Sequence, residues 1–165
     1  MKSQYVIPFV DAIRNLFGTM LQTEVAFDRP ELSDGTEPGH DVSAIVGFTG
    51  RITGAVVLGF SQAVAEALVE RFTANRFEMG HPDFADAVGE LANMVAGGAK
   101  AALDTEGVSI SCPSVIIGRH WVRQPRQRVL RIPCRSESGA FIAEVCLKAA
   151  SELNPSECHQ HVHVS

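Results

Sequence analysis

Apolar residues at Val6, Phe9, Val10, Ile13, Leu16, Phe17, Met20 and Leu21 recur three and four apart. That spacing predicts an amphipathic first helix over about residues 5–23. The segment from Asp28 to Gly39 carries prolines, glycines and acids and reads as a loop. Two short apolar runs follow, VSAIVGFTG and ITGAVVLGF, joined near Gly50 and Arg51. They predict a β-hairpin whose nearly continuous apolar character suits a central, two-sided burial. Ser61 can cap a second helix, QAVAEALVERFTA. A third helix is predicted from Asp83 to about residue 105, with Gly107 just past its end. The remainder alternates as strands: VSIS, SVIIG, RQRVLRIPCR and AFIAEVCLKAA, the last two flanking a turn at Glu137-Ser138-Gly139. This order predicts an α+β fold, helices packed on a mostly antiparallel sheet. Residues 1–152 read as a single domain, and 153–165 as a flexible tail containing histidines.

The third helix has an unusual composition. Its central stretch, DAVGELANMVAGGAK, contains three glycines, each costing about 1 kcal/mol against alanine in a helix interior. At about 100° per residue, Phe84, Val88, Leu91, Val95, Ala99 and Ala102 share one side. Asp86, Glu90, Asn93, Gly97 and Asp104 form a stripe nearly opposite. The apolar side must face the core, so the stripe faces solvent or a partner. Asp86 and Glu90 are like charges one turn apart, which costs a few tenths of a kcal/mol. Gly97 offers clearance for a close approach. Two readings fit these residues alone: a solvated helix face, with glycines serving helix packing, or a ridge that docks a partner.

Composition narrows the class. The chain has 165 residues, 45% hydrophobic and 20% charged, as in ordinary globular proteins. A net charge of −5 argues against general nucleic-acid binding. No long uninterrupted apolar run suggests a membrane span, and the N-terminal segment lacks a secretory pattern, so a cytoplasmic location is expected. Cysteines at 112, 134, 146 and 158 show no C-x-x-C pair and read as free thiols on strands and in the tail.

The pattern D-x-x-x-E-x-x-N, here Asp86 to Asn93, continued by MVAGGAK and followed by SCPSVIIG, resembles the signature of the CheC/CheX/FliY family of chemotaxis phosphatases. The likeness covers roughly residues 3–150. It implies the α+β fold of that family and an aspartyl-phosphate phosphatase acting on a CheY-like response regulator. Glu90 would pair with a lysine of the regulator's active site. Asn93 would enter that site and orient the attacking water, while Asp86 and Gly97 belong to the docking surface. The chain would need no cofactor of its own, since Mg²⁺ sits in the regulator. Two-site members of the family carry a second such helix. Here the first helix reads Asp11-Ala-Ile-Arg-Asn15, without the Glu and Asn in place, so one active helix per chain is expected, as in the CheX branch. Pro113, twenty residues after Asn93, is expected to be structural. The resemblance also implies a homodimer, for which the closing hairpin at 127–148 offers a long sheet edge. The alternative is a module of the same fold that docks a regulator or another signalling partner without hydrolysis.

Two other clusters have plainer explanations. His159, His161 and His163 alternate beside Cys158, but a tail fixes no metal geometry. Arg119, Arg123, Arg126, Arg128, Arg131 and Arg135 crowd one segment near Trp121, and are expected to be solvent-facing strand arginines that protect an edge.

Overall fold

The computed structural model describes residues 5–33, 39–103, 106–122 and 128–152. Its elements in chain order are α1 (Ile7–Thr19), β1 (Val25–Phe27), β2 (Glu31–Leu32), β3 (His40–Gly50), β4 (Ile52–Phe60), α2 (Gln62–Thr73), α3 (Pro82–Ala102), β5 (Val108–Ile110), β6 (Ser114–His120), β7 (Leu130–Ser136) and β8 (Gly139–Ala149), with a 3-10 turn at Ala150–Glu152. The strands form one eight-stranded sheet in the order β1-β7-β8-β4-β3-β5; β2 also pairs with β7, and β6 with β3. Every pairing is antiparallel. The fold is α+β, three helices on an antiparallel sheet among the described residues.

The period of two in β3 decides which face meets the helices. Val42, Ala44, Val46 and Phe48 are buried and lie opposite Phe60, Leu58, Val56 and Gly54 of β4. The same face continues through Ala143, Val145 and Leu147 of β8 and Ile132 of β7. Phe9, Ile13 and Phe17 of α1, Leu68 of α2, and Phe84, Leu91 and Val95 of α3 cover it. Each such side chain contributes about 1.5–3 kcal/mol by leaving water. Ring contacts lock the layers: Phe9 meets Phe48 edge-on at 5.7 Å, and Phe17 stacks on Phe141 at 5.3 Å. The β3–β4 turn needs glycine at position 50. Its φ is +106°, and a Cβ there would lie 1.9 Å from the Gly107 carbonyl oxygen.

Several expectations need correction. Helix α1 is shorter than the 5–23 expected, because Pro8 stands in its first turn and Gln22 takes a positive φ of 49° that leads the chain into β1. Strand β2 lies inside the 28–39 segment read as a loop, and β1 in the short stretch between that loop and the expected helix end, to which no element was assigned. Their signal was too short to show a period. The closing hairpin is not an edge: β8 is interior beside β4, and β7 is covered by β1 and β2. Ala102 is exposed at the fraying end of α3. Arg131 is not solvent-facing. It is buried on the face without helices, 3.4 Å from Glu144 and 3.5 Å from Glu31. The register places Arg131 opposite Glu144 on β8 and Glu31 on β2, so one row across three strands forms an ion network. Arg135 does face solvent, paired with Asp28. Arg119 and Arg128 are also exposed, while Arg123 and Arg126 lie outside the described residues.

Candidate active site

Helix α3 begins where Pro82 follows an extended His81. The His81 ring Nδ1 accepts a hydrogen bond from the Asp83 backbone N–H at 3.2 Å, and Pro82 has no N–H to satisfy. Asp83 in the first turn and Lys100 in the last match the helix dipole. Phe84, Val88, Leu91, Val95 and Ala99 are buried as their spacing predicts. Asp86 and Glu90 are exposed, Asn93 and Gly97 half-exposed. Asp104 lies outside the described residues. The side chains of Asp86, Glu90 and Asn93 make no hydrogen bond or ion pair with any described residue. An acid pair and an amide are thus presented unpaired on one ridge, with their bonding capacity available to a partner.

The ridge is flanked on both sides. Towards α1, Gly98 faces Ala12: a Cβ added at 98 would lie 3.1 Å from that of Ala12. Towards β6, Gly89 faces Pro113 and Val115: an added Cβ would lie 3.3 Å from Pro113 Cγ and 3.5 Å from Val115 Cγ2. A Cβ at Gly97 would meet nothing within 4 Å. The glycines therefore divide their work. Gly98 serves helix–helix packing, Gly89 packs the helix on a strand, and Gly97 leaves the ridge clear. Pro113 stands across from Gly89, beside the ridge. The glycine beside Glu90 carried no sequence signal of its own, because its partner lies on a distant strand.

Helix α1 carries no second ridge of this kind. Asp11, Arg14 and Asn15 are exposed, but Arg14 already bonds Asp11 at 2.8 Å. The face of the sheet without helices holds a different cluster. Ser43, fully buried, bonds His120 Nε2 at 2.8 Å, while His120 Nδ1 meets the Gly118 carbonyl. A buried hydroxyl with no access to solvent is a tie between β3 and β6, not a nucleophile. His40 crosses over Gly59 of β4. Burial first, then the neighbouring His120 and Arg131, lower its pKa, while Asp41 opposes them. Cys112 is an exposed thiol in the β5–β6 connection, and Cys134 and Cys146 are buried on strands. Burial pushes the Cys134 thiol up to about 12. Cys158 and the tail histidines lie outside the described residues. Among the described residues no group of three or more His, Cys, Asp or Glu is placed to hold a metal, and no helix is long and apolar enough to cross a membrane.

The family profile described as chemotaxis phosphatase CheX matches residues 42–135, more than half of the chain and all of α3. The chain belongs to the CheX family. Like the other members, it is thereby placed among the phosphatases, hydrolases of chemotaxis signalling. It is 26% identical, over 136 residues, to the CheY-P phosphatase CheX of Thermotoga maritima, covering 81% of this chain and 88% of that one. It is similar to the chemotaxis protein CheX from Desulfovibrio desulfuricans, at 32% identity and a TM-score of 0.79, over 87% of this chain and 99% of that one. The CheX fold extends to the CheX–CheY–BeF3–Mg²⁺ complex from Borrelia burgdorferi, at 19% identity and a TM-score of 0.73, over 87% and 97% of the two chains.

Proposed function

We propose that this CheX-family chain dephosphorylates the phospho-aspartate of a CheY-like response regulator, with the α3 ridge as its active surface. The observation that carries the reading is Glu90 and Asn93 standing one turn apart on an otherwise well-packed helix, with no hydrogen bond or ion pair to any described residue. The protein called CheX in Thermotoga maritima acts on phosphorylated CheY, and the Borrelia burgdorferi complex contains CheY, BeF3 and Mg²⁺.

An acyl phosphate is a mixed anhydride and already activated, so the catalyst has mainly to position water. In this reading Glu90 pairs with a lysine of the regulator, and Asp86 adds negative charge beside it. Asn93 enters the regulator's site and holds a water in line with the aspartyl oxygen. The water oxygen attacks phosphorus, the bond to the aspartate oxygen breaks, and the carboxylate leaves. The water's proton departs with inorganic phosphate. An amide can orient water by accepting and donating hydrogen bonds without acting as a strong base. Two acids on one helix face fit contact with a partner's cation better than an ion cage, which needs six or more oxygens for Ca²⁺ and near-octahedral geometry for Mg²⁺. The Mg²⁺ is therefore assigned to the regulator. The same reading includes a cytoplasmic homodimer.

Asn93→Ala tests the assignment. It should lower the rate of regulator dephosphorylation by about 100-fold or more, the scale of losing a positioned group in the transition state. Docking of the regulator should persist, as measured by titration calorimetry with the BeF3-activated form. Wild-type turnover in this variant would remove Asn93 from the mechanism.

A further inference from the structure

We infer that Gly89 is a positioning residue for this reaction: its missing side chain lets α3 rest on Pro113 and Val115, and this sets the height at which Glu90 and Asn93 stand. The inference rests on the α3 ridge being the active surface. Position 89 is adjacent to Glu90 in sequence and one helical turn from Asn93, on the flank of the ridge that faces β6. A Cβ there would sit 3.3 Å from Pro113 Cγ, 3.5 Å from Val115 Cγ2 and 3.7 Å from Pro113 Cβ. The contact with Pro113 Cγ is tighter than a methyl group normally makes and the other two are ordinary packing distances, so either the helix or Pro113 must give by a few tenths of an ångström.

The strand is the firmer side. Pro113 is a ring fixed to its own backbone, and the chain is tied down before and after it. The Ser111 N–H donates to the Gly47 carbonyl at 2.9 Å, and the Gly47 N–H donates to Ser111 Oγ at 2.9 Å. Ser114 and Val115 are in register with Ile45 and Ala44 of β3, which itself pairs with β4 on its other side. Helix α3 is confined on its other flank by the Gly98–Ala12 contact, nine residues further on. A methyl at 89 therefore tilts the N-terminal half of α3 about a pivot near Gly98, and the ridge residues move with it. Gly97 supplies the contrast, because a methyl there touches none of the described residues.

Misplacing a catalytic group by about 1 Å can cost about 100-fold in rate, so a shift of a few tenths is expected to cost about 10-fold. Alanine is the better helix former, so Gly89→Ala should not lower the melting temperature through loss of helicity. The expected result is a kcat about 10-fold down with the affinity for the BeF3-activated regulator changed less than about 3-fold. Pro113→Ala removes the atom that the new methyl meets. The double variant Gly89→Ala/Pro113→Ala should recover kcat to within about 3-fold of Pro113→Ala alone. Wild-type kcat in Gly89→Ala, or a double variant no faster than Gly89→Ala, would overturn the inference. So would a kcat per folded molecule that is unchanged while the melting temperature falls, since that is the mark of a purely structural contact. Asn93→Ala is measured alongside. If it is inactive while Gly89→Ala is fully active, only the positioning role fails; if Asn93→Ala is itself fully active, the assignment of the ridge fails.

Discussion

Glu90 and His40 show how differently a titratable side chain is used on the two faces of this molecule. Glu90 is exposed and pairs with none of the described residues, so its role lies in what it meets. An interfacial carboxylate facing a lysine costs about 2–5 kcal/mol when truncated, if the pair becomes buried. Glu90→Ala should therefore weaken the regulator complex by at least about 10-fold, read by calorimetry. Unchanged affinity with reduced turnover would mean that Glu90 acts on the chemistry and not on docking. His40 lies against Gly59, with Asp41, His120 and Arg131 as its charged or titratable neighbours. Burial holds its folded pKa below the ordinary 6.5. Below about pH 6.5 the unfolded chain then binds more protons than the folded one, so stability falls as the pH drops towards the folded value. His40 is only partly buried, so the slope is a fraction of the roughly 1.4 kcal/mol per pH unit that one full proton difference gives. Urea unfolding at pH 7 and pH 5.5 should show this loss, and His40→Gln should flatten it. Equal slopes in the two proteins would show that His40 does not carry the effect.

At the scale of the element, α3 balances helix stability against clearance. Gly97 lacks any contact that requires it. Gly97→Ala should raise stability by about 0.5–1 kcal/mol, yet weaken regulator docking by about 10-fold as the methyl intrudes on the approaching surface. Raised stability with unchanged affinity would return Gly97 to an ordinary solvated face. The helix also shows what was legible beforehand. The 3.6 period of Phe84, Val88, Leu91, Val95 and Ala99 identified the buried side, and by subtraction the ridge. β3 and β4 were legible from their apolar runs and the glycine between them, and α2 from Ser61, whose hydroxyl accepts from the Val64 N–H. What escaped depends on contacts between distant segments. β1 and β2 are strands only because β7 lies beside them. Arg131 reads as a surface residue until Glu144 and Glu31 come into register with it. The use of Gly89 requires Pro113, which is placed by the pairing of β6 with β3.

At the scale of the molecule, the two ends of the sheet differ. The β1/β2 end is short and carries Asp28, Arg29, Pro30 and Glu31, the charged and proline residues that keep an edge from pairing. The β6 end is different. It runs seven residues from Ser114 to His120, with Arg119 as its one Lys, Arg, Asp or Glu. It exposes Ile116, Ile117 and the adjoining Trp121, the last 63% accessible. Among the described residues β6 pairs only with β3, so its outer backbone groups face away from the sheet. We propose that β6, and not the closing hairpin, joins the expected homodimer, two copies meeting edge to edge in an isologous contact that extends the sheet. Sedimentation equilibrium at micromolar concentration should give about twice the chain mass of 17.7 kDa. Ile116→Lys puts a charge on the exposed edge without touching the helix-covered core, and should return the mass to that of one chain. The α3 ridge lies on the helix-covered side and each copy keeps its own, so the monomeric variant should retain regulator dephosphorylation per chain. A wild-type protein that sediments as a monomer, or an Ile116→Lys protein that remains a dimer, would exclude the β6 edge as the joint.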